Sequence, residues 1–176
     1  MVARTPLTAR PLDLMWFSFF LMHIPATVLM DLQALFFPKT YLPGILHWYV
    51  QWTNDPIIRG AMYDANMYWM RCFLTMELFF QLPTFFVAAY GLYKNHRGIY
   101  PLILIYATSA ATTTIPCVVA VFHHADSLNT EQQITLLASY MPFLLCFLGM
   151  TVDMYLRLMS IVRVADAQRQ VKEKTS

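Results

Sequence analysis

Long runs of apolar residues, broken by few polar positions, dominate the chain. The four longest runs lie at about residues 12–37, 67–93, 99–122 and 134–159. Each run is long enough to cross a hydrocarbon layer of about 30 Å, which takes about 20 helical residues. The pattern predicts an all-α membrane protein with four transmembrane helices at 12–159, after an arm at 1–11. A loop at 38–66 then joins the first two helices, and a tail at 160–176 follows the last.

The composition fits a chain that is not surrounded by water alone. Hydrophobic residues make up 58% of the sequence and charged residues only 12%, where a soluble domain carries about a quarter charged residues. Most Lys and Arg residues fall in the arm, in the loop after the second helix and in the tail. The positive-inside rule then predicts that both termini are cytosolic and that the loop at 38–66 is lumenal. The net charge of +2 reflects this topology, and we predict no binding of nucleic acid.

A proline lies in every predicted span: Pro25, Pro83, Pro116 and Pro142. Each proline removes a backbone hydrogen bond and can kink its helix. We therefore expect kinked helices, which can enclose a cavity. The three cysteines also fall in predicted spans, without the spacing of metal ligands. They predict buried thiols, with no disulfide, metal site or cofactor.

Two acidic residues interrupt the apolar runs well inside a span, Asp31 in the first and Glu77 in the second. Counted from the predicted lumenal ends at about 1.5 Å per residue, Asp31 lies about 9 Å deep and Glu77 about 15 Å deep, on antiparallel helices. A charge at such depth costs at least ~2.5 kcal/mol and commonly marks a functional site. If the two carboxyls are neighbours, we expect them to share a proton and keep one negative charge.

Such a carboxyl pair suits three different uses. One negative charge in an apolar cavity can bind the amine of a hydrophobic molecule, and a proton donor beside an acceptor can perform acid–base chemistry. The carboxyls can also simply hold helices together by hydrogen bonds. Gln81 follows Glu77 by one helical turn on the same face, where it can orient the carboxyl. The residues alone leave all three uses open.

The predicted lumenal loop contains the aromatic sequence HWYVQWTNDP at 47–56. Because aromatic rings favour the membrane interface, this segment is expected to lie against the headgroups and to cover the bundle. Asp55 followed by Pro56 is typical of a helix start, with the aspartate as N-cap and the proline in the first turn. We therefore interpret Asp55 and Pro56 as structural residues.

Five motifs occur in an order that resembles the EXPERA-domain family. They are HIPATVLMDLQA at 23–34, NDP at 54–56, MELFFQLP at 76–83, TTTIP at 112–116 and SYMPF at 139–143. The similarity covers essentially the whole chain. It implies a four-helix membrane protein of the endoplasmic reticulum with an occluded cavity that accepts sterols or oxysterols and amphiphilic amines.

The resemblance also implies roles for particular residues. The aspartate matching Asp31 pairs with the ligand's amine, and the glutamate matching Glu77 hydrogen-bonds that aspartate as its protonated partner. The match supports the structural role of Asp55. Further expected ligand-binding residues are His23, Met30, Gln81, Thr113 and Tyr140.

The resulting hypothesis is a non-enzymatic receptor in sterol and cholesterol homeostasis and trafficking, with a sterol transporter and a second copy of the chain as candidate partners. The same superfamily includes a sterol Δ8-Δ7 isomerase whose motif resembles H-x-x-x-E. Here Thr27 stands four residues after His23, so one acid of that motif is missing. An isomerase using Glu77 and His23 is therefore the weaker alternative. A further alternative is a membrane chaperone or scaffold for a sterol transporter, in which the carboxylates only hold helices together.

The last five residues, KEKTS, place Lys172 and Lys174 five and three positions from the end. This spacing resembles the cytosolic K-x-K-x-x retrieval signal of endoplasmic-reticulum membrane proteins, and it agrees with the predicted cytosolic C-terminus. We therefore predict the endoplasmic-reticulum membrane, with the nuclear envelope or endolysosomal membranes as alternatives.

Overall fold

A computed structural model describes residues 5–36, 44–64 and 66–175. Within these ranges the chain forms helices and no strands. The α-helices are α1 Pro11–Ala26, α2 Gln33–Phe36, α3 Gly44–Thr53, α4 Pro56–Tyr63, α5 Tyr68–Met76, α6 Leu82–Tyr93, α7 Tyr100–His123 and α8 Thr130–Thr175.

Four helical segments are long and apolar enough to cross a membrane. We call them the first to fourth spans: Pro11–Asp31, Tyr68–Tyr93, Arg97–His123 and Thr130–Lys174. The protein is therefore an all-α, multi-pass membrane protein, and the prediction of four spans is confirmed. Two details differ from the sequence-based boundaries. The segment predicted as a loop contains α3 and α4, and α8 continues without a break past residue 159.

The first and second spans each contain one segment of π-helix, in which the backbone hydrogen bonds skip one extra residue. These segments are Thr27–Asp31, between α1 and α2, and Glu77–Gln81, between α5 and α6. In the second, the Leu82 N–H bonds to the Glu77 carbonyl, and Pro83, which has no N–H, follows directly. Short π-helical segments frequently occur at functional sites. Here both of the deep acidic residues lie on them.

The main hydrophobic core is aromatic and lies between all four spans. The rings of Phe20, Phe85 and Tyr106 are fully buried and pack against one another with centroids 5.3–6.0 Å apart. Phe147 of α8 adds an edge-on contact to Tyr106 at 5.9 Å. Because offset and edge-on aromatic pairs stabilise packing beyond the area they bury, this cluster fixes the relative positions of the spans.

An ion-pair network closes the end of the bundle that is predicted to be cytosolic. Asp13, only 3% exposed, accepts hydrogen bonds from the guanidinium groups of both Arg10 and Arg157. Arg157 also pairs with Asp153 at 2.9 Å, and the indole N–H of Trp16 donates to that carboxylate at 2.7 Å. Asp153 and Arg157 lie four residues apart on α8, a spacing typical of a surface ion pair, but their side chains are only 18% and 21% exposed. The pair belongs to a largely buried network.

The same network reaches the two remaining spans. Arg10 donates to the carbonyl oxygen of Leu92 at 2.9 Å, near the end of the second span. Arg157 lies over the ring of Tyr100, 5.3 Å from its centroid, at the start of the third span. All four spans are therefore tied together at this end of the molecule.

Candidate functional site

An internal cavity of about 290 Å³ lies between the spans, at the end of the bundle that α3 and α4 cover. Small-molecule sites usually measure about 300–1,000 Å³ and are mostly apolar with a few polar groups, so this cavity is at the small end of that range. Its wall contains all seven residues that the sequence nominated for ligand binding: His23, Met30, Asp31, Glu77, Gln81, Thr113 and Tyr140. Residues far apart in sequence thus meet around one cavity.

Two acidic side chains face each other in this cavity. Asp31 ends the π-helical segment of the first span, and Glu77 begins that of the second. Their carboxyl groups lie within hydrogen-bonding distance of each other. Gln81, buried at 6% exposure, lines the same wall one turn beyond Glu77. The two π-helical segments therefore bring one acid from each span to the same point.

A third residue joins the two acidic segments. Thr27 is fully buried, and its hydroxyl donates a 2.7 Å hydrogen bond to Oε1 of Glu77. This oxygen therefore has a fixed donor, which leaves the second carboxyl oxygen of Glu77 for other contacts. The hydroxyl occupies the position at which the isomerase motif carries a glutamate.

His23 lines the cavity one turn before Thr27. Its imidazole is stacked on Phe19 at 5.1 Å between centroids and meets Phe85 edge-on at 5.0 Å. Its Nδ1 atom is buried without a hydrogen-bond partner among the described residues. A buried polar atom without a partner carries a free-energy cost, so it is a group that a ligand can satisfy.

Asp55 lies beside the cavity and connects the helices that cover it to the fourth span. Its Oδ1 accepts the backbone N–H groups of Ile57 at 2.8 Å and Ile58 at 3.2 Å, so it is the N-cap of α4, which begins at Pro56. Its Oδ2 accepts the hydroxyls of Tyr49 at 3.0 Å and Tyr140 at 2.8 Å.

The environment of Asp55 is that of a buried structural carboxyl group. Burial raises the pKa of Asp55 above its usual value, and the four hydrogen bonds limit that rise. Burial and the Asp55 carboxylate also raise the pKa of Tyr49, whose hydroxyl therefore stays a donor. Asp55 thus connects α3 and α4 to the fourth span by hydrogen bonds.

Helix α3 has one face toward the cavity and one face away from the protein. Tyr49 lines the cavity, and Leu46 beside it is fully buried. On the opposite face, Trp48 and Trp52 are 59% and 50% exposed and stack with centroids 5.4 Å apart. Exposed tryptophans of this kind are typical of the membrane–water interface.

Comparison with known proteins gives the family of this fold and site. A family model described as EBP, EXPERA (EXPanded EBP superfamily), matches residues 41–154, well over half of the chain. The chain belongs to the EXPERA family. It is 31% identical to Sigma intracellular receptor 2 of Homo sapiens over 156 residues, which cover 80% of this chain and 85% of that protein.

Two further relatives extend the comparison. The Xenopus tropicalis Sigma intracellular receptor 2 is 32% identical over 148 residues, covering 78% of this chain and 84% of the relative. The Efficient mitochondria targeting-associated protein 19 of Schizosaccharomyces pombe (strain 972 / ATCC 24843) is 28% identical over 169 residues, covering 93% and 86%. The similarity therefore spans most of the length of each protein.

Among the residues that sequence reasoning missed are Tyr49, in the cavity wall, and Thr27, which bonds to Glu77. Tyr49 was placed at the membrane interface with its aromatic neighbours, although it points inward and binds Asp55. Thr27 was considered only as a missing acid, although it is the hydrogen-bond donor to Glu77. The signal in the sequence was the position of Thr27, which lies one turn after His23 and one turn before Asp31 on the same helix face.

Replacing Asp55 by asparagine is expected to destabilise the protein without removing any carbon atom. The amide oxygen can still accept from the two backbone N–H groups. In the wild type, Oδ2 accepts hydrogen bonds from two tyrosine hydroxyls. The amide NH₂ that replaces Oδ2 cannot accept them. We expect a loss of about 1–2 kcal/mol and a fall in Tm of about 5 °C, measured by tryptophan fluorescence in detergent micelles. Asp126→Asn, the same change at an exposed turn, is the control. Equal Tm values for the two variants would contradict the structural role of Asp55.

Proposed function

We propose that this EXPERA protein is a non-enzymatic membrane receptor that binds sterols or oxysterols and amphiphilic amines in its internal cavity. The observation that carries the proposal is the meeting of Asp31 and Glu77 in one mainly apolar enclosure inside a membrane bundle. The relatives named Sigma intracellular receptor 2 support a receptor role. The ligand's amine pairs with Asp31, and Glu77 supports Asp31.

Electrostatics determines how the acid pair is used. Two carboxylates in contact in a low-dielectric site repel each other, so the pair keeps one proton and one negative charge. Oε1 of Glu77 accepts from Thr27, so the shared proton lies between the other oxygen of Glu77 and Asp31. In our proposal Glu77 holds this proton and donates it to Asp31, the role that the family resemblance implies. Asp31 is then the charged member and the receptor for an ammonium group, while Glu77 orients it.

The remaining cavity wall suits a hydrophobic body. Apolar side chains from three separate parts of the chain, Ile57, Leu74 and Phe147 among them, line it around the acid pair. A ring system or alkyl chain buries its surface against these groups at about 25 cal/mol per Å². A neutral sterol uses the same space and places its hydroxyl among the polar groups.

The proposal extends to the cellular role. We place the protein in the endoplasmic-reticulum membrane, where it acts in cholesterol homeostasis and trafficking through a sterol transporter. Lys172 and Lys174 lie on the exposed last turns of α8, where a cytosolic retrieval receptor can reach them. Both termini are then cytosolic, in agreement with the distribution of basic residues.

A binding measurement tests the receptor proposal directly. Protein in phosphatidylcholine nanodiscs is titrated with a tritiated N,N-dimethylalkylamine, and bound ligand is competed with cholesterol. We expect saturable binding that the sterol displaces, because both occupy one cavity. If the amine shows no saturable binding, the receptor proposal is wrong.

An isomerase is the second candidate, because His23 and Glu77 line the same cavity and can in principle exchange protons. Incubation of the purified protein with a Δ8 sterol in lipid distinguishes the two. Conversion to the Δ7 sterol would establish the enzyme, and we expect none. A scaffold in which the carboxylates only hold helices together predicts instead that Asp31→Asn with Glu77→Gln lowers Tm but leaves the binding of both amine and sterol unchanged.

Thr27 provides a sensitive test of how the acid pair is oriented. Thr27→Val keeps the shape of the side chain but removes the donor to Glu77. The loss of one buried hydrogen bond is worth about 1 kcal/mol, so we expect amine affinity to fall about fivefold. Thr27→Ser keeps the hydroxyl and is the matched control, with affinity within about twofold of wild type. If both variants bind as wild type does, Thr27 does not orient the pair.

A further inference from the structure

A short basic loop joins the second and third spans. Its sequence is KNHRG at 94–98. His96 and Arg97 are exposed, and Lys94 is half-buried. Neither Lys94 nor Arg97 forms an ion pair in the part of the chain that the structure describes. The loop therefore carries two positive charges that no described acidic residue balances.

The acidic residues at this end of the bundle are already paired. Asp13 and Asp153 both bind Arg157 in the ion-pair network, and their carboxylates are largely buried there. The next acid along α8 is Asp166, which lies about 14 Å beyond Arg157 along the helix axis. The surface around the loop therefore has a net positive charge.

The ammonium group of Lys94 is held against two tyrosine rings. Its Nζ atom lies 5.5 Å from the ring centroids of both Tyr90 and Tyr93. These residues are 65% and 58% exposed, so they lie on the outer surface of the second span. A cation–π contact positions an ammonium group without using up its three hydrogen-bond donors. Lys94 can therefore still donate to a ligand.

An apolar strip continues from these rings along the second span. Phe86 and Val87 are 56% and 51% exposed and precede Tyr90 by four and three residues. Val87, Tyr90 and Lys94 are three and four residues apart, so they share one face of the helix. Val87 lies about 10 Å from Lys94 along the helix axis, at the depth of lipid acyl chains. One face of the span thus combines a basic end with an apolar strip.

The loop is held in one conformation by its own backbone. Asn95 has a φ of 51°, and its N–H bonds to the Leu92 carbonyl at 3.0 Å. The N–H of His96 bonds to the Gly91 carbonyl at 2.9 Å. Gly91 lets Ile99 pack closely, because a Cβ at this position would lie 2.8 Å from the Ile99 side chain. A loop fixed in this way loses little conformational entropy when it binds a ligand.

We propose that Lys94 and Arg97, with the strip of Phe86, Val87 and Tyr90, bind an anionic glycerophospholipid. We call these five residues the anionic-lipid site. The lipid phosphate accepts hydrogen bonds from the Lys94 ammonium and the Arg97 guanidinium, which are strong because both partners are charged. One acyl chain lies along the apolar strip. The ligand is thus a membrane lipid whose headgroup has a net negative charge.

The position of the site favours a lipid over a soluble anion. Its positive charges lie where two membrane spans end, directly beside a strip that faces the bilayer. In the predicted topology this end is cytosolic, and the cytosolic leaflet is the one that carries anionic phospholipids. None of the five residues lines the internal cavity. The inference therefore does not depend on the receptor function proposed above.

Lipid titration followed by native mass spectrometry tests this site. Purified protein in detergent micelles is titrated with dioleoylphosphatidylserine or with dioleoylphosphatidylcholine, which has the same chains but no net charge. We expect phosphatidylserine to bind at least about tenfold more tightly, and equal affinities would overturn the proposal. Glycerophosphoserine, the headgroup without chains, should not displace the lipid at equal concentration. Displacement would show that the apolar strip takes no part and that the ligand is a soluble anion.

A charge-matched pair of variants locates the binding. Lys94→Gln with Arg97→Gln should lower the affinity for phosphatidylserine about tenfold and leave that for phosphatidylcholine within about twofold of wild type. The control is Arg71→Gln with Arg163→Gln, which removes two exposed cations outside the site and changes the net charge equally. It should keep both affinities within about twofold of wild type. Equal losses of phosphatidylserine affinity in the two double variants would mean a general attraction to basic residues, and the site would be wrong.

Two further measurements decide the question if the glutamine variant fails to fold. Lys94→Arg with Arg97→Lys keeps both charges and should bind phosphatidylserine within about threefold of wild type. In the wild type, phosphatidylserine should raise Tm by about 3 °C more than phosphatidylcholine does at about 50 mM NaCl. This difference should disappear at about 500 mM NaCl, because salt screens exposed charges. A Tm difference that is absent at low salt or unchanged at high salt would overturn the proposal.

Discussion

Asp31→Asn is expected to weaken binding of an amphiphilic tertiary amine by about a hundredfold, or ~2.7 kcal/mol. The asparagine has the same shape, so the cavity keeps its volume and loses only the charge that meets the ammonium group. Glu77→Gln should cost about tenfold or less, because the glutamine amide can still donate to Asp31 as the protonated glutamic acid does. Equilibrium titration of nanodiscs with the tritiated N,N-dimethylalkylamine measures both values.

The neutral ligand is the control for this prediction. Cholesterol has no charge, so its affinity for Asp31→Asn should stay within about fivefold of wild type. A larger loss for Glu77→Gln than for Asp31→Asn would mean that Glu77 carries the charge and that the assignment is reversed. Equal losses of amine and sterol would point to a damaged cavity instead of a lost ion pair.

The spans and the cavity wall were predictable because the membrane restricts what a sequence can do. Long apolar runs have few structures available in a bilayer, so their number and approximate bounds follow from length. Acidic residues are costly there, so Asp31 and Glu77 stand out without any structure. Helical spacing placed Gln81 beside Glu77, and the family resemblance supplied His23 and Thr113. All three line the same cavity.

Other parts of the site depend on tertiary contacts that no local pattern encodes. The two π-helical segments carry the deep acidic residues, and helical periodicity does not indicate them. Tyr49 looks like an interfacial aromatic residue until its hydroxyl meets Asp55. Thr27 looks like an ordinary membrane threonine until it meets Glu77, fifty positions along the chain.

The ion-pair network is the clearest example of what sequence reasoning could not provide. Asp13 lies at the start of the first span and has Arg10 three residues before it, which is an ordinary helix-end pattern. Its second partner, Arg157, is 144 positions away. The network closes one end of the bundle, and the cavity lies toward the opposite end.

Asp13→Asn is therefore expected to be the most destabilising of the substitutions considered, by about 3 kcal/mol. The variant leaves Arg10 without a carboxylate partner among the described residues and leaves Arg157 with Asp153 alone, in a largely buried site. A loss of this size lowers Tm by about 10 °C, which thermal unfolding in detergent micelles can resolve.

The matched control is the exposed pair of Arg169 and Glu173 near the end of α8, with side chains 80% and 65% exposed. Glu173→Gln removes a carboxylate from an i, i+4 ion pair, as Asp13→Asn does from an i, i+3 ion pair. At the exposed Glu173, however, water replaces the lost contact. We expect Glu173→Gln to change stability by less than about 0.5 kcal/mol. Because the two sites differ chiefly in burial, the difference between the Tm values of the two variants measures how much the buried ion-pair network contributes to stability. A fall in Tm for Asp13→Asn no larger than that for Glu173→Gln would show that the network does not hold the four spans together.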